Sequence, residues 1–265
     1  MAVTSCCNHL IFKVMKQLMF TLMAMILALG VVSASDYKIP LIGSKAPKFS
    51  ANTTNGKITF PNDFGNSWKI LLSHPADFTP VCSSELLELA HLQNEFKKLG
   101  VELAVVSTDD IVLHKMWKAH LEELNYKQRG TVHIGFPLIE DPDAKVSRLY
   151  GMLHDEESTD RDVRGVFIID DKNIIRSVNF YPVEVGRNMN EFVRMVEALQ
   201  LTESKFVYTP ANWQKGDDVI VPYLPYSTEE LEADPKLADR YYSVGNRMWF
   251  EQVDASTAKV DNDEE

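Results

Sequence analysis

A short apolar run followed by a proline-containing loop and a helical segment constrains this chain more than any other feature. The run Ile70-Leu71-Leu72 is typical of a buried strand, and residues 85–90 have the composition and spacing of a helix. Pro75, Pro80 and Cys82 lie between them. A cysteine in the first turn of a helix lies near the positive end of the helix dipole, which stabilises thiolate over thiol. The segment therefore predicts a strand–loop–helix unit that carries a reactive sulfur.

Strands alternate with helices on either side of this unit. The Asn55-Gly56 dipeptide predicts a hairpin whose second strand includes residues 58–60. Apolar runs predict strands at residues 69–73, 101–107, 136–140, 163–170 and 174–181, and periodic segments predict helices ending near residues 98, 124 and 150 and another from residue 189. This order favours an α/β sandwich with a mixed central sheet flanked by helices.

The chain changes character after residue 201, where prolines and glycines become frequent. A helical pattern is confined there to residues 227–239. We therefore expect a domain at residues 39–204 and a C-terminal extension at residues 205–265, which packs on the domain or on a partner subunit. The run of mostly acidic residues at 261–265 is typical of a solvated tail.

The first 34 residues have the pattern of a signal peptide. Lys13 and Lys16 precede an almost unbroken apolar run, which ends at Val32-Ser33-Ala34, a small-residue pattern suited to cleavage. The apolar run is short for a membrane span. We expect residues 1–34 to be removed, with Met1 or Met15 as the true start, and the mature protein to be periplasmic or secreted. An uncleaved N-terminal anchor is the alternative.

Export would leave the mature protein with one cysteine. Of the three cysteines, Cys6 and Cys7 lie in the predicted signal peptide and Cys82 does not. A lone thiol cannot form an internal disulfide, so in an oxidising compartment it is either buried and inert or kept for its reactivity. The formal net charge of -11 argues against a nucleic-acid partner.

The loop before Cys82 contains several parts of a peroxide-reducing site. A thiolate that attacks peroxide needs donors that hold the peroxide and stabilise the leaving oxygen, in a pocket that limits water. Thr79 lies three residues before Cys82, close enough in a tight turn to place its hydroxyl beside the sulfur. Pro75 and Pro80 stiffen the loop. A cation is missing from this segment and must come from elsewhere in the chain.

The spacing Pro-x-x-x-Thr-x-x-Cys, formed here by Pro75, Thr79 and Cys82, resembles the motif of the peroxiredoxins, the alkyl hydroperoxide reductase/thiol-specific antioxidant (AhpC/TSA) family. The stretch from His74 to Cys82 is similar to the 1-Cys subfamily in particular. Residues 163–170 and 181–188 extend the resemblance, which covers about residues 39–225. It implies a thioredoxin-like fold with a C-terminal peroxiredoxin extension.

The resemblance also implies a role for each residue of the motif. Cys82 corresponds to the peroxidatic nucleophile, and Arg164 to the residue that stabilises its thiolate and orients peroxide. Thr79 would hydrogen-bond the peroxide, and Pro75 would shield the sulfenic acid. Without the resemblance, Arg164 would be interpreted as a surface ion-pair partner, and Thr79 as a helix cap, a role compatible with catalysis.

Three further residues match the family around this centre. Glu85 and Arg187 correspond to a pair that holds the catalytic side chains in place. His74 corresponds to a histidine near the cysteine in 1-Cys members, although a structural histidine is an equally good interpretation. The histidines at positions 91, 114, 120 and 154 do not have metal-ligand spacing with one another or with Cys82, so we expect no metal and no cofactor.

The chain departs from the 2-Cys members of the family at the resolving position. Those members carry a second cysteine before a Pro-Ala-x-Trp segment, and Thr209 occupies that position here. An oxidised Cys82 would therefore need an external thiol reductant. The family also implies a homodimer or a ring of dimers.

These observations predict a thiol-specific peroxidase that reduces hydrogen peroxide and organic hydroperoxides in antioxidant defence and redox homeostasis. The alternative is a peroxide sensor or redox-switched chaperone, in which oxidation of Cys82 changes assembly without efficient turnover. A binding domain that kept the fold and lost the chemistry is a third possibility. The complete set of Pro75, Thr79, Cys82 and Arg164 argues against it.

Overall fold

The structure is a computed structural model that describes Gln17 and residues 39–224, 226–245 and 247–253. The chain divides into two units, Met1–Lys38 and Ile39–Glu265, and the second unit contains the fold and the site. Apart from Gln17, the predicted signal peptide, including Cys6, Cys7 and the two candidate starts, lies outside the described residues. Among the described residues, no helix combines the length and apolar character needed to cross a membrane.

The second unit alternates strands and helices as predicted. Its strands are β1 (Phe49–Thr53), β2 (Gly56–Phe60), β3 (Trp68–Ser73), β4 (Val101–Ser107), β5 (Leu138–Glu140), β6 (Arg164–Ile169), β7 (Ile175–Tyr181), β8 (Val219–Ile220), β9 (Tyr241–Val244) and β10 (Met248–Glu251). Its α-helices are α1 (Pro80–Lys98), α2 (Ile111–Glu122), α3 (Lys145–Leu149), α4 (Met189–Ser204), α5 (Thr228–Ala233) and α6 (Pro235–Arg240).

The described strands β1 to β7 form one mixed sheet in the order β2-β1-β5-β4-β3-β6-β7. The central strand β3 runs parallel to β4 and antiparallel to β6. All six residues of β3 are buried, as expected for a strand covered on both faces. The prediction of an α/β fold with a mixed central sheet is confirmed, and the sheet order places the end of β3 near the beginning of β6.

Successive residues of the central strands contribute to two separate apolar cores. Ile70 and Leu72 of β3 face the core that contains α1, α2 and α4, represented by Trp117 and Phe192. The intervening Leu71 faces the second core, which contains residues of β1, β2 and α3 and the connecting segments. Side chains of a strand alternate between faces, so one apolar run supplies both layers.

The C-terminal region contains more regular structure than its sequence pattern predicts. The predicted helix at residues 227–239 is two short helices, because Asp234 ends α5 and caps the N-terminus of α6. Strands β8, β10 and β9 form a three-stranded antiparallel sheet, which the sequence did not indicate. The helix α4 ends at Ser204, immediately before the predicted extension.

Candidate functional site

Cys82 lies in the first turn of α1, at the end of the loop that follows β3. Thr79 is the N-cap of this helix, and Pro80 is its first residue, where the missing N–H removes no intrahelical hydrogen bond. Cys82 is completely buried and forms no disulfide within the part of the chain that the structure describes. The fold thus places the sulfur at the positive end of a helix dipole and away from bulk water.

The antiparallel register of β3 and β6 brings Arg164 to the cysteine loop. Leu72 pairs with Val166, and continuing this register places Arg164 opposite His74, where the loop departs. Ser73 links the two strands, since its hydroxyl donates to the Val163 carbonyl at 2.6 Å and accepts a hydrogen bond from the N–H of Gly165. A Cβ on that glycine, residue 165, would lie 3.0 Å from Ser73 Oγ, so the close approach favours glycine there.

The cation that the loop lacks is supplied by Arg164. Its Nη1 lies 3.2 Å from Cys82 Sγ and 2.9 Å from Glu85 Oε2. Its Nε donates to the Val183 carbonyl at 2.9 Å, and Nη2 donates to the same oxygen. Arg164 is 2% exposed, so it is a buried residue and not the surface ion-pair partner considered as an alternative.

Glu85 joins this arginine to a second one, Arg187. The Glu85 carboxylate accepts hydrogen bonds from the backbone N–H, Nε and Nη2 of Arg187, at 2.7 to 2.9 Å, in addition to the bond from Arg164. Burial alone would raise the pKa of Glu85, but the charge and hydrogen bonds of Arg187, together with the charge of Arg164, hold that pKa below its usual value.

The charges of this cluster favour a thiolate. Two guanidinium groups share the single Glu85 carboxylate in their ion pairs, so the three side chains together carry a formal charge of +1. A negative charge on Cys82 Sγ, 3.2 Å from Arg164, would neutralise it. In a buried site such an interaction is much stronger than in water.

We expect Glu85→Gln to destabilise the protein substantially, because it leaves two buried guanidinium groups without a counter-charge. Breaking a buried ion pair in this way typically costs about 3–5 kcal/mol. Glu88→Gln is the control, since this residue lies one turn further along α1 and pairs with the partly exposed Lys127 and Arg129. Its loss should cost less than about 1 kcal/mol. Chemical denaturation of both variants measures the difference, and equal losses would contradict the expectation.

Acid titration gives an independent check on Glu85. Its pKa is lowered in the folded protein, so its contribution to stability is present above its ordinary value of 4.5 and is lost as the pH falls through the folded value. The wild type should therefore lose stability relative to the Gln variant below about pH 4.5. If the free energies of unfolding of the two proteins changed equally as the pH fell below that value, this assignment would be contradicted.

The loop residues Pro75 and Thr79 lie on the chain between β3 and Cys82. Pro75 is buried, and its carbonyl accepts from Arg161 Nη1 at 3.4 Å. The Thr79 hydroxyl donates to the Ala76 carbonyl at 2.9 Å and makes no hydrogen bond to the N-terminus of α1. Its lone pairs can still accept a hydrogen bond from a peroxide.

His74 belongs to a different group of buried side chains. Its ring packs on Trp117 with centroids 5.0 Å apart, and its Nε2 lies 3.6 Å from Asp77 Oδ1. Neither ring nitrogen has a hydrogen-bond partner among the described residues. Burial, only partly opposed by Asp77, lowers the pKa of His74 to about 4, so the ring is neutral at physiological pH.

The sequence analysis missed the partner of this group, His114. Its Nδ1 lies 2.8 Å from Asp77 Oδ2, and its Nε2 lies 3.1 Å from the Ile139 carbonyl. Burial would lower the pKa of His114, but the hydrogen bond and charge of Asp77 outweigh this effect and raise it. The signal was a histidine on the buried face of α2, in register with Trp117 and Leu121.

The ligand atoms of His74, Asp77 and His114 lie within 4.8 Å of one another, a grouping that could hold a metal ion. The hydrogen-bond distance between Asp77 and His114 leaves no room for an ion between those two atoms as they stand. All three side chains are completely buried, which leaves no open coordination position facing solvent. The donor set therefore fits a hydrogen-bonded cluster better than a metal centre.

Comparison with known proteins points to one family. Residues 42–178 match the model of the AhpC/TSA family, and residues 198–233 match that of the C-terminal domain of 1-Cys peroxiredoxin. A peroxiredoxin from Methanosarcina mazei is 48% identical over 185 residues, which cover 69% of this chain and 84% of that protein.

Two solved structures share the fold over most of this chain. A yeast mitochondrial 1-Cys peroxiredoxin is 38% identical, with a TM-score of 0.69 over 81% of this chain and 100% of that chain. A cysteine-to-serine mutant of peroxiredoxin 6 from Arenicola marina is 32% identical, with a TM-score of 0.70 over 81% of this chain and 99% of that chain.

Proposed function

This chain belongs to the AhpC/TSA family as a 1-Cys peroxiredoxin, a thiol-dependent peroxidase, and we propose that Cys82 is the residue that peroxide oxidises. The observation that carries the proposal is the 3.2 Å contact between Arg164 Nη1 and Cys82 Sγ within a buried cluster of net positive charge. This contact both stabilises the thiolate and places a donor beside the reacting sulfur.

In the proposed reaction, the Cys82 thiolate attacks the terminal oxygen of a hydroperoxide. The new sulfur–oxygen bond forms as the O–O bond breaks, and the remaining oxygen leaves as water or an alcohol after it takes up a proton. Cys82 is oxidised to a sulfenic acid and the peroxide is reduced by two electrons. Arg164 stabilises the charge that moves to the leaving oxygen, while Thr79 accepts a hydrogen bond from the peroxide. Hydrogen peroxide and small organic hydroperoxides are the proposed substrates.

An external thiol completes the proposed cycle. Thr209 occupies the position of the resolving cysteine of 2-Cys members. It follows Tyr208, which forms an isolated antiparallel bridge with Ile220 of β8. The yeast relative is described as resolved by glutathione and thioredoxin systems. We propose a reductant of the same chemical class, a low-molecular-weight or protein thiol. Its sulfur attacks the Cys82 sulfenic acid, so that a mixed disulfide forms and the sulfenic oxygen leaves as water. A second thiol then attacks the mixed disulfide, which releases Cys82 as a thiolate and leaves the reductant as a disulfide.

Export and self-association form part of the same proposal. The basic residues, apolar run and small-residue pattern at the N-terminus support secretion or transfer to the periplasm, where the protein would contribute to antioxidant defence. The family relationship supports a dimer or a ring of dimers. Intact mass and light scattering of the protein from its native source would test the mature N-terminus and the assembly.

The function is tested by adding one equivalent of hydrogen peroxide to the reduced protein and recording intact and peptide masses. We expect one added oxygen on the peptide that contains Cys82. When dimedone is present, that peptide should instead carry a dimedone thioether, formed as the sulfenic oxygen leaves as water. With excess dithiothreitol, hydrogen peroxide should be consumed continuously. Consumption of hydrogen peroxide without any modification of Cys82 would overturn the assignment of Cys82 as the nucleophile. Oxidation of Cys82 without turnover under any thiol would favour a sensor or redox-switched chaperone.

A further inference from the structure

The loop that carries Pro75 and Thr79 is attached to helix α2 through a pair of buried side chains, Asp77 and His114. Both side chains are completely buried, and Asp77 Oδ2 lies 2.8 Å from His114 Nδ1. The other ring nitrogen faces the Ile139 carbonyl of β5 at 3.1 Å. His114 therefore connects the loop to both a helix and a strand of the domain.

The protonation state of His114 follows from what its two nitrogens face. A carboxylate and a carbonyl oxygen can only accept hydrogen bonds, whereas a neutral imidazole has only one N–H to donate. A neutral His114 would therefore place a nitrogen lone pair against one of the two oxygens. A doubly protonated ring satisfies Asp77 and the Ile139 carbonyl at the same time.

The charged groups around the ring agree with this assignment. Asp77 faces it from the loop, and Asp109, in the turn before α2, adds a second negative charge. Asp109 also holds the loop directly, since its Oδ2 accepts from the Asp77 backbone N–H at 2.8 Å. The other titratable neighbour, His74, is neutral at physiological pH, so it adds no competing positive charge.

The loop between Asp77 and the cysteine helix needs such support. Phe78 has a φ of 56°, a left-handed conformation that is strained for a residue with a Cβ. Strained residues persist only where their surroundings hold them in place. Asp77 is fixed on one side, and the Phe78 ring stacks on His120 and approaches Trp117 on the other. If Asp77 were released, Phe78 would relax and the adjoining Thr79 would move.

We propose that His114 is a doubly protonated imidazolium whose buried ion pair with Asp77 holds the loop in the geometry that presents Thr79 to peroxide. Both are positioning residues, which act through Thr79 and make no contact with the reacting atoms. The proposal rests on Cys82 being the residue that peroxide oxidises. It adds a pH-dependent support to the site, since the ion pair exists below the folded pKa of His114 and is lost as the pH rises through it.

The protonation state is tested on the wild-type protein by recording nitrogen chemical shifts of the histidine rings between pH 6 and pH 9. We expect the His114 ring to remain doubly protonated at pH 7, with the His114→Gln variant used to assign its signals. A singly protonated His114 at pH 7 would overturn the proposal. One equivalent of zinc retained in the purified protein would also overturn it, because the ion would then occupy the place of the proton. This measurement does not depend on peroxide, so it separates the proposal from the assignment of Cys82.

The functional consequence is tested with two substitutions of Asp77, by stopped-flow measurement of Cys82 oxidation. We expect Asp77→Ala to lower the peroxide rate constant at pH 7 by about 10- to 100-fold, the usual effect of misplacing a catalytic group by about 1 Å. In the wild type, loss of the ion pair should make the rate constant decline as the pH rises through the folded pKa of His114. Asp77→Asn can donate to a neutral His114, so its rate constant should not show this decline.

The control is His133→Gln, which removes an exposed histidine paired with Glu122. It should keep the wild-type rate and pH profile. An Ala variant that oxidises as fast as the wild type, or an Asn variant with an unchanged alkaline decline, would overturn the proposal.

Discussion

Replacing Cys82 with Ser should lower the rate of peroxide reduction by at least about 10⁴-fold, the scale of loss seen when an enzyme's nucleophile is removed. Serine keeps the approximate size of the side chain but not the chemistry, because a hydroxyl does not ionise at neutral pH as a thiol does. The guanidinium of Arg164, 3.2 Å from the sulfur, would then face a neutral oxygen. Stopped-flow or electrode measurement of peroxide consumption with excess dithiothreitol measures the loss.

The same substitution should leave the fold intact. Cys82 is buried among apolar side chains, but Arg164 Nη1 can donate to a serine oxygen in place of the sulfur. We expect a change in Tm of only a few degrees, equivalent to about 1 kcal/mol. Ser84→Ala is the control, because its hydroxyl donates to the Val81 carbonyl in the same helical turn. More than about 1% residual activity in the Cys82 variant would contradict a mechanism in which this sulfur is the nucleophile.

Replacing Arg164 with Met should produce the second largest loss, about 10² to 10³ in the rate constant for Cys82 oxidation. The substitution removes the donor at 3.2 Å from the sulfur and cancels the net positive charge of the buried cluster. Both the thiolate and the charge on the leaving oxygen lose their stabilisation.

The protein should tolerate this substitution because Glu85 keeps one of its two cations. Arg187 still donates to both carboxylate oxygens, so no isolated buried charge remains. Arg176→Met is the matched control, since this arginine pairs with Asp170 and Glu203, outside the Glu85 cluster. It should retain wild-type activity. Equal losses in the two variants, or an Arg164 variant with an undiminished rate, would contradict the assigned role of Arg164.

The sequence predicted the parts of this protein that depend on local pattern. The apolar run of β3 and the periodic segment of α1 form the expected strand–loop–helix unit. A strand buried on both faces is a continuous apolar run, and a helix buried on one face has apolar residues at helical spacing. The cation beside Cys82 was predicted through family resemblance alone. Its position depends on the antiparallel pairing of β3 with β6, two strands that are distant in the sequence.

Features that depend on long-range contacts were not predicted. Asp77 and His114 are 37 positions apart, and their pairing requires α2 to pack over the cysteine loop. The sheet of β8, β9 and β10 escaped prediction because its strands are two to four residues long and lie among turn-forming residues. In both cases tertiary packing determines the structure, and the intrinsic secondary-structure propensity of the residues contributes little.

The anchoring of Glu85 limits how far the reactive sulfur can travel. Cys82 is fully buried, so a bulky thiol cannot contact its sulfur unless the structure around the first turn of α1 opens. Glu85 is held by both arginines and lies only three residues further along the chain. Even a fully extended tether of that length keeps the two Cα atoms within about 11 Å of each other. In the proposed cycle, the reductant would therefore have to bring its own sulfur to the mouth of this site. The width of the surface that carries this sulfur would then influence how quickly Cys82 is reduced.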